Sequence, residues 1–111
     1  MFKNFFSPPS DPADIDLETF AKAVHAGEVT VVDVREPHEF VAGHIPGAVN
    51  LPMSRFDLPD LPKGKPVVLI CQVGGRSRNA LARARAAGRD DVKHYAGGMS
   101  QWRIHGGDVT V

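Results

Sequence analysis

The chain contains one cysteine, in the stretch Val67-Val68-Leu69-Ile70-Cys71-Gln72-Val73-Gly74-Gly75-Arg76-Ser77. A cysteine reacts as its thiolate, and thiolate is favoured by nearby positive charge and by N–H groups aimed at the sulfur. Both can be supplied here. Gly74-Gly75 lets the backbone turn tightly where a Cβ would clash. A helical pattern begins at about Arg76, and free amides at a helix start carry partial positive charge. Arg76 adds a full positive charge close by. A buried structural role is the common alternative for a lone free cysteine. The glycine pair, Arg76 and the strand-loop-helix setting favour a nucleophile.

The surrounding elements must position that sulfur. Val67-Val68-Leu69-Ile70 is an unbroken apolar run that suits a strand covered on both faces. Cys71 therefore falls at the carboxyl end of a strand, where open α/β sheets place their ligand sites. Upstream, Asp16 reads as an N-cap for an amphipathic helix carrying Leu17, Phe20, Ala21 and Val24, with Gly27 as its stop. Val29–Val34 is a β-branched strand. Pro37 opens a short helix that Gly43 ends. Ala48–Leu51 is a short strand stopped by Pro52, and one helical turn is expected near Ser54-Arg55-Phe56. After the cysteine loop, Ala80, Leu81, Ala84 and Ala87 mark an apolar helix face. Val92–Tyr95 is a further strand. Gly97-Gly98 opens a last helix carrying Met99 and Trp102, Gly106-Gly107 ends it, and Val109-Thr110-Val111 is a candidate terminal edge strand. Strands alternating with helices predict a parallel α/β sheet with helices on both faces.

Length and composition narrow the field. The chain has 111 residues, enough for one domain with its own core. Residues 1–13 read as an N-terminal arm whose phenylalanines pack on the domain, and 14–111 as the domain. The formal net charge is zero, with 13 basic and 13 acidic residues, which gives no support for general nucleic-acid binding or a polybasic membrane contact. Met1–Phe6 is too short for a signal peptide or membrane span, and Ser7-Pro8-Pro9 follows it. One cysteine forms no internal disulfide, so a reducing, cytoplasmic setting is expected. The five histidines (His25, His38, His44, His94, His105) show no metal-ligand spacing, and a neutral structural role is expected for each. Trp102 is expected in the core.

Three blocks resemble the rhodanese-like family. The first is Asp33-Val34-Arg35-Glu36-Pro37-His38-Glu39-Phe40, leading to Gly43-His44-Ile45-Pro46-Gly47-Ala48-Val49-Asn50-Leu51-Pro52. The second is Cys71-Gln72-Val73-Gly74-Gly75-Arg76-Ser77. The third is Gly97-Gly98-Met99-Ser100-Gln101-Trp102. The likeness spans roughly residues 14–108. It implies an open parallel five-stranded sheet with helices on both faces. It also implies a sulfurtransferase that moves a sulfane sulfur from thiosulfate or a persulfide donor to a thiol or cyanide acceptor. A protein sulfur acceptor is a further partner of that kind. Carried over, Cys71 would hold the sulfur as a persulfide, and the amides of Gln72, Val73, Gly74, Gly75, Arg76 and Ser77 would cradle it. Arg76 would orient the loop or attract an anionic donor, and Arg78 would add to the positive field at the pocket mouth. Asp33 and Arg35 would brace the loop. No metal or organic cofactor is needed. Gln72 and Val73 are uncharged where some thiosulfate-using members carry basic or polar side chains, and Met99 stands where an aromatic residue is frequent.

Other functions share some of these features. A non-catalytic rhodanese module usually lacks the cysteine that this chain keeps. A persulfide carrier serving a partner protein would share the Cys71 chemistry. Cysteine phosphatases and arsenate reductases also use a cysteine–loop–arginine cradle. Related phosphatases have one more residue between the two, so the tighter ring from Cys71 to Arg76 suits a sulfur atom better than a phosphate.

Overall fold

The computed structural model describes residues 11–111; the phenylalanines of the expected arm lie outside them. Four parallel strands form one sheet: β1 (Thr30–Asp33), β2 (Val49–Asn50), β3 (Val67–Ile70) and β4 (Val92–His94), in the order β2-β1-β3-β4. Four α-helices, α1 (Leu17–Ala26), α2 (Pro37–Val41), α3 (Gly75–Ala86) and α4 (Gly98–Ile104), alternate with them. Short 3-10 turns at Met53–Arg55 and Leu58–Asp60 cross the proline-rich stretch before β3.

The expected fifth strand is absent from this sheet among the described residues. Asp14 makes a single parallel bridge to His94 beside β4, and Thr110 pairs antiparallel with His44. Pro12 precedes Asp14, and Asp16 already caps α1 by accepting a 2.8 Å hydrogen bond from the Thr19 amide. Little extended chain remains between them. Ala13 is nevertheless buried, and Asp11 forms an ion pair with Arg85 on α3.

The sheet alternates its side chains between two cores. Val67 and Leu69 face the α3 side with Ala80, Leu81 and Ala84. Val68 and Ile70 face the other side with Phe20, Met99 and Trp102. The alanines on α3 let the helix approach the sheet closely. On the opposite face the Phe20 ring lies 5.1 Å from Tyr95 and 5.2 Å from Trp102. Each fully buried large apolar side chain contributes roughly 1.5–3 kcal/mol. Trp102 also satisfies its indole N–H on the Asp108 carbonyl at 2.9 Å. Met99 is fully enclosed, so the unbranched side chain fills the place without disturbing the core.

Strand register sets the height of each side chain at the sheet's edge. Asp33 of β1 lies beside Ile70 of β3, so the carboxyl ends of the two central strands are level. Asp33, Arg35 and Cys71 therefore converge at one edge of the sheet.

Candidate active site

Cys71 is 1% exposed and sits at the bottom of a loop that curls around its sulfur. Sγ accepts hydrogen bonds from the Gly74 amide at 3.1 Å and the Ser77 amide at 3.3 Å, and Ser77 Oγ lies 3.5 Å away. Gly74 takes a left-handed conformation (φ 99°), and its missing Cβ leaves room for the Ala96 carbonyl. Burial pushes the Cys71 thiol up. The Ser77 hydroxyl and the amides of Ser77, Gly74 and Val73 outweigh it, so the net shift is downward. The site thus favours thiolate by hydrogen bonding to the sulfur.

The loop is gripped from outside by the start of α4. The Met99 amide donates to the Cys71 carbonyl at 2.9 Å, and the Ser100 amide to the Gln72 carbonyl at 3.1 Å. These amides lack intrahelical partners, so the helix start satisfies the loop and itself together. Gly98 makes the approach possible: its φ is +64°, and a Cβ there would run into the carbonyls of Gln72 and Cys71.

Arg35 is buried and almost wholly engaged by Asp33. Its Nε donates to both carboxylate oxygens at 3.0 and 3.1 Å, and one terminal nitrogen reaches Oδ2 at 2.8 Å. The same nitrogen donates to the Gly43 carbonyl at 2.8 Å, and the other lies 3.4 Å from Gln72 Oε1. The fork therefore ties the end of β1 to the Gly43 turn, with a weaker reach to the cysteine loop.

Arg76 points elsewhere than the sulfur. It forms a two-pronged pair with Glu39 of α2, at 2.6 and 3.0 Å. Glu39 also accepts the Glu36 amide at 3.0 Å, capping α2. Of the other loop residues, Gly75 begins α3, Val73 stands 73% exposed at the tip, and Gln72 is half-buried. Arg78 is exposed on α3. His44 stacks on Phe40 with ring centroids 3.7 Å apart, and its Nδ1 meets the Phe40 carbonyl, a local structural arrangement.

Three residues gain a place that sequence reasoning did not give them. Glu39 lies within the first rhodanese-like block, and its acidic character was the available signal for a basic partner. Asn50 donates from Nδ2 to the carbonyls of Asp33 and Arg35, both at 2.9 Å, and so holds the turn after β1. His94 is fully buried behind the cysteine loop with Nδ1 2.9 Å from Ser77 Oγ. Nothing local marks His94, because its partners come from other elements. A large surface groove, lined by Thr19, Val29, Pro66 and Asp91 among others, lies at the amino ends of the strands and holds neither cysteine nor histidine.

The profile of the Rhodanese-like domain matches residues 16–105. The chain belongs to the rhodanese-like family. A protein of Allochromatium vinosum named sulfurtransferase is 35% identical over 96 residues, covering 84% of this chain and 90% of its own. A Synechocystis protein is 48% identical over 80 residues, covering 70% of this chain; the aligned region spans only 45% of that relative. Among solved structures, a human single-domain sulfurtransferase superposes with a TM-score of 0.72 at 27% identity, covering 85% of this chain and 97% of its own. Among the described residues, no helix is long and apolar enough to cross a membrane.

Proposed function

We propose that this rhodanese-like domain is a sulfurtransferase that carries a sulfane sulfur as a persulfide on Cys71. The supporting observation is the setting of Sγ: a buried sulfur that accepts from the amides of Gly74 and Ser77, with Ser77 Oγ 3.5 Å away. The match to relatives named sulfurtransferase agrees with it.

The cycle has two displacements. Cys71 thiolate attacks the outer sulfur of thiosulfate or of a persulfide. A sulfur–sulfur bond forms to Sγ as the donor's own sulfur–sulfur bond breaks, and the electron pair leaves with sulfite or thiolate. The loop amides then face the persulfide's negative charge in a site with little water, where such donors stabilise most. An acceptor thiolate or cyanide attacks the outer sulfur, and Sγ recovers its electron pair as thiolate. Each step exchanges one sulfur–sulfur bond or converts it to a carbon–sulfur bond, so no outside oxidant is required.

The engagement of Arg76 by Glu39 argues against a phosphatase, because the guanidinium that would meet a phosphate is already paired. A persulfide carrier serving a partner protein is the second reading. Val73, apolar and 73% exposed beside the buried sulfur, favours it.

Mass spectrometry after exposure to thiosulfate or glutathione persulfide tests the proposal. The expected result is one added sulfur on Cys71, lost on adding cyanide or thiol. No adduct with any donor overturns it. Faster discharge to a protein acceptor than to small thiols would select the carrier reading.

A further inference from the structure

Behind Cys71 lies a line of groups drawn from four separate elements. Ser77 Oγ, in the first turn of α3, is 3.5 Å from Cys71 Sγ and 2.9 Å from Nδ1 of His94 at the end of β4. His94 Nε2 is 2.9 Å from Oδ1 of Asp14, in the segment before α1. That is ion-pair distance without the alignment of a full hydrogen bond, and neither atom has another partner among the described residues. His94 is fully buried, which makes an unaligned ring nitrogen facing a carboxylate costly.

The line can be protonated in two ways with the same number of protons. In one, the Cys71 thiol donates to Ser77 Oγ, the Ser77 hydroxyl donates to His94 Nδ1, and Nε2 carries the ring proton towards Asp14. In the other, Cys71 is a thiolate that accepts from the Ser77 hydroxyl. His94 Nδ1 then donates to Ser77 Oγ, and the imidazolium faces the Asp14 carboxylate. The Gly74 carbonyl, 3.2 Å from Ser77 Oγ, competes for the hydroxyl proton and helps to fix the rotor.

We propose that His94, paired with Asp14, takes the Cys71 proton through Ser77 to form the attacking thiolate, and returns it when the cycle ends. The inference rests on the reading of Cys71 as the sulfur-carrying nucleophile. The Sγ proton passes to Ser77 Oγ and the Ser77 hydroxyl proton passes to His94 Nδ1, and the thiolate so formed bonds to the donor's outer sulfur. The donor's sulfur–sulfur bond breaks, and its electron pair leaves with the remainder of the donor. When an acceptor thiolate removes the outer sulfur, Sγ regains an electron pair and the proton runs back. Ser77 and His94 carry the proton and Asp14 positions His94, while only Cys71 touches the transferred sulfur.

The charges facing His94 agree with this cycle. Asp14 and Asp11 lie on the amino-terminal segment, Arg78 on α3, and Arg85 of α3 is paired with Asp11. Burial pushes His94 down more than Asp14 raises it, so the ring rests neutral with Nδ1 ready to accept. Proton uptake then turns the His94–Asp14 contact into a buried ion pair.

Cys71 is the chain's one cysteine, so its alkylation by iodoacetamide reports the relay directly. The rate is measured between about pH 5 and about pH 10 for wild type, His94→Gln and Asp14→Asn, beside sulfur loading from thiosulfate. The wild-type profile should show two inflections. His94→Gln should show one, with the rate near neutrality lowered roughly tenfold and the rates converging where the thiol is ionised in both. Asp14→Asn, which keeps the side-chain shape, should move the acid inflection to lower pH and serves if the His94 variant does not fold. Profiles that superimpose on wild type, or that fall by one factor at every pH, overturn the relay even if sulfur loading persists. The expected profiles without sulfur loading from any donor would sustain the relay and overturn the sulfur-transfer reading.

Discussion

Arg76 is held by Glu39 through two hydrogen bonds of 2.6 and 3.0 Å, so the charge nearest the cysteine loop is already balanced. The pair joins the start of α3 to α2 and closes the far side of the loop. Its main effect is therefore to set loop shape. Arg76→Ala should lower kcat/KM by a similar factor, roughly tenfold, for thiosulfate and for an uncharged persulfide donor. Glu39→Gln should give a smaller loss with the same indifference to donor charge. A loss confined to thiosulfate would mean that the guanidinium meets the anion.

The same pair predicts an acid-sensitive increment of stability. The Arg76 guanidinium holds the Glu39 carboxyl at about 2, against an ordinary 4.5. A depressed carboxyl stabilises the fold above the unfolded value and loses that contribution as pH falls through the folded value. The window therefore runs from 4.5 down to about 2. Both side chains are partly exposed, so solvent screening limits the increment to about 1 kcal/mol. Glu39→Gln should flatten this part of the acid dependence in denaturant unfolding. Parallel acid slopes for variant and wild type would count against the pair.

Asp33→Asn should be far more damaging. Arg35 is 3% exposed, and removing its carboxylate partner leaves a buried charge uncompensated. Such a loss costs about 3 kcal/mol. Urea unfolding should show it as a lowered midpoint with an unchanged slope. Sulfur loading should fall as well, because Arg35 ties the turn at Gly43 to the loop. A change below about 0.5 kcal/mol, the range of an exposed substitution, would refute the bracing role.

Cys71→Ser should abolish sulfur loading while keeping the fold. A hydroxyl is a poor nucleophile for sulfane sulfur near neutral pH, yet it still accepts from the amides of Gly74 and Ser77. The unfolding midpoint should stay close to wild type while the persulfide adduct disappears from the mass spectrum. Unchanged turnover would rule out Cys71 as the nucleophile.

Gly98→Ala tests the grip of α4 on the loop. Gly98 and Gly106 both have positive φ, 64° and 78°, but only at Gly98 would a Cβ meet backbone carbonyls. The two substitutions share the conformational penalty of a left-handed L-residue, about 1–2 kcal/mol. Gly98→Ala should add a further loss of stability and of sulfur transfer, whereas Gly106→Ala should leave transfer intact. Equal effects on transfer would show that the contact with the Cys71 and Gln72 carbonyls is dispensable.

Much of the fold is written locally. The run from Val67 to Ile70, the glycine pair after it and the apolar face of Ala80, Leu81 and Ala84 specify strand, turn and helix without distant information. Asp16 and Gly27 bound α1 by side-chain capping and a left-handed stop, both residue-level effects. The position of Cys71 at a strand's carboxyl end follows from the same signals. The strand count was less legible. Among the described residues the sheet has four strands, because Pro12 and the cap at Asp16 leave little extended chain around Asp14. The long-range partners of the charged and buried polar residues were less legible still. Arg76 and Glu39 are 37 positions apart, and Ser77 and His94 are 17 apart; no periodicity links either pair. The cysteine loop and the elements that present it are readable from the residues alone, because they depend on backbone preference and hydrophobic spacing. That Arg76 faces Glu39 and that His94 stands behind the sulfur emerges only in the folded molecule, because strand order and helix packing bring those side chains together.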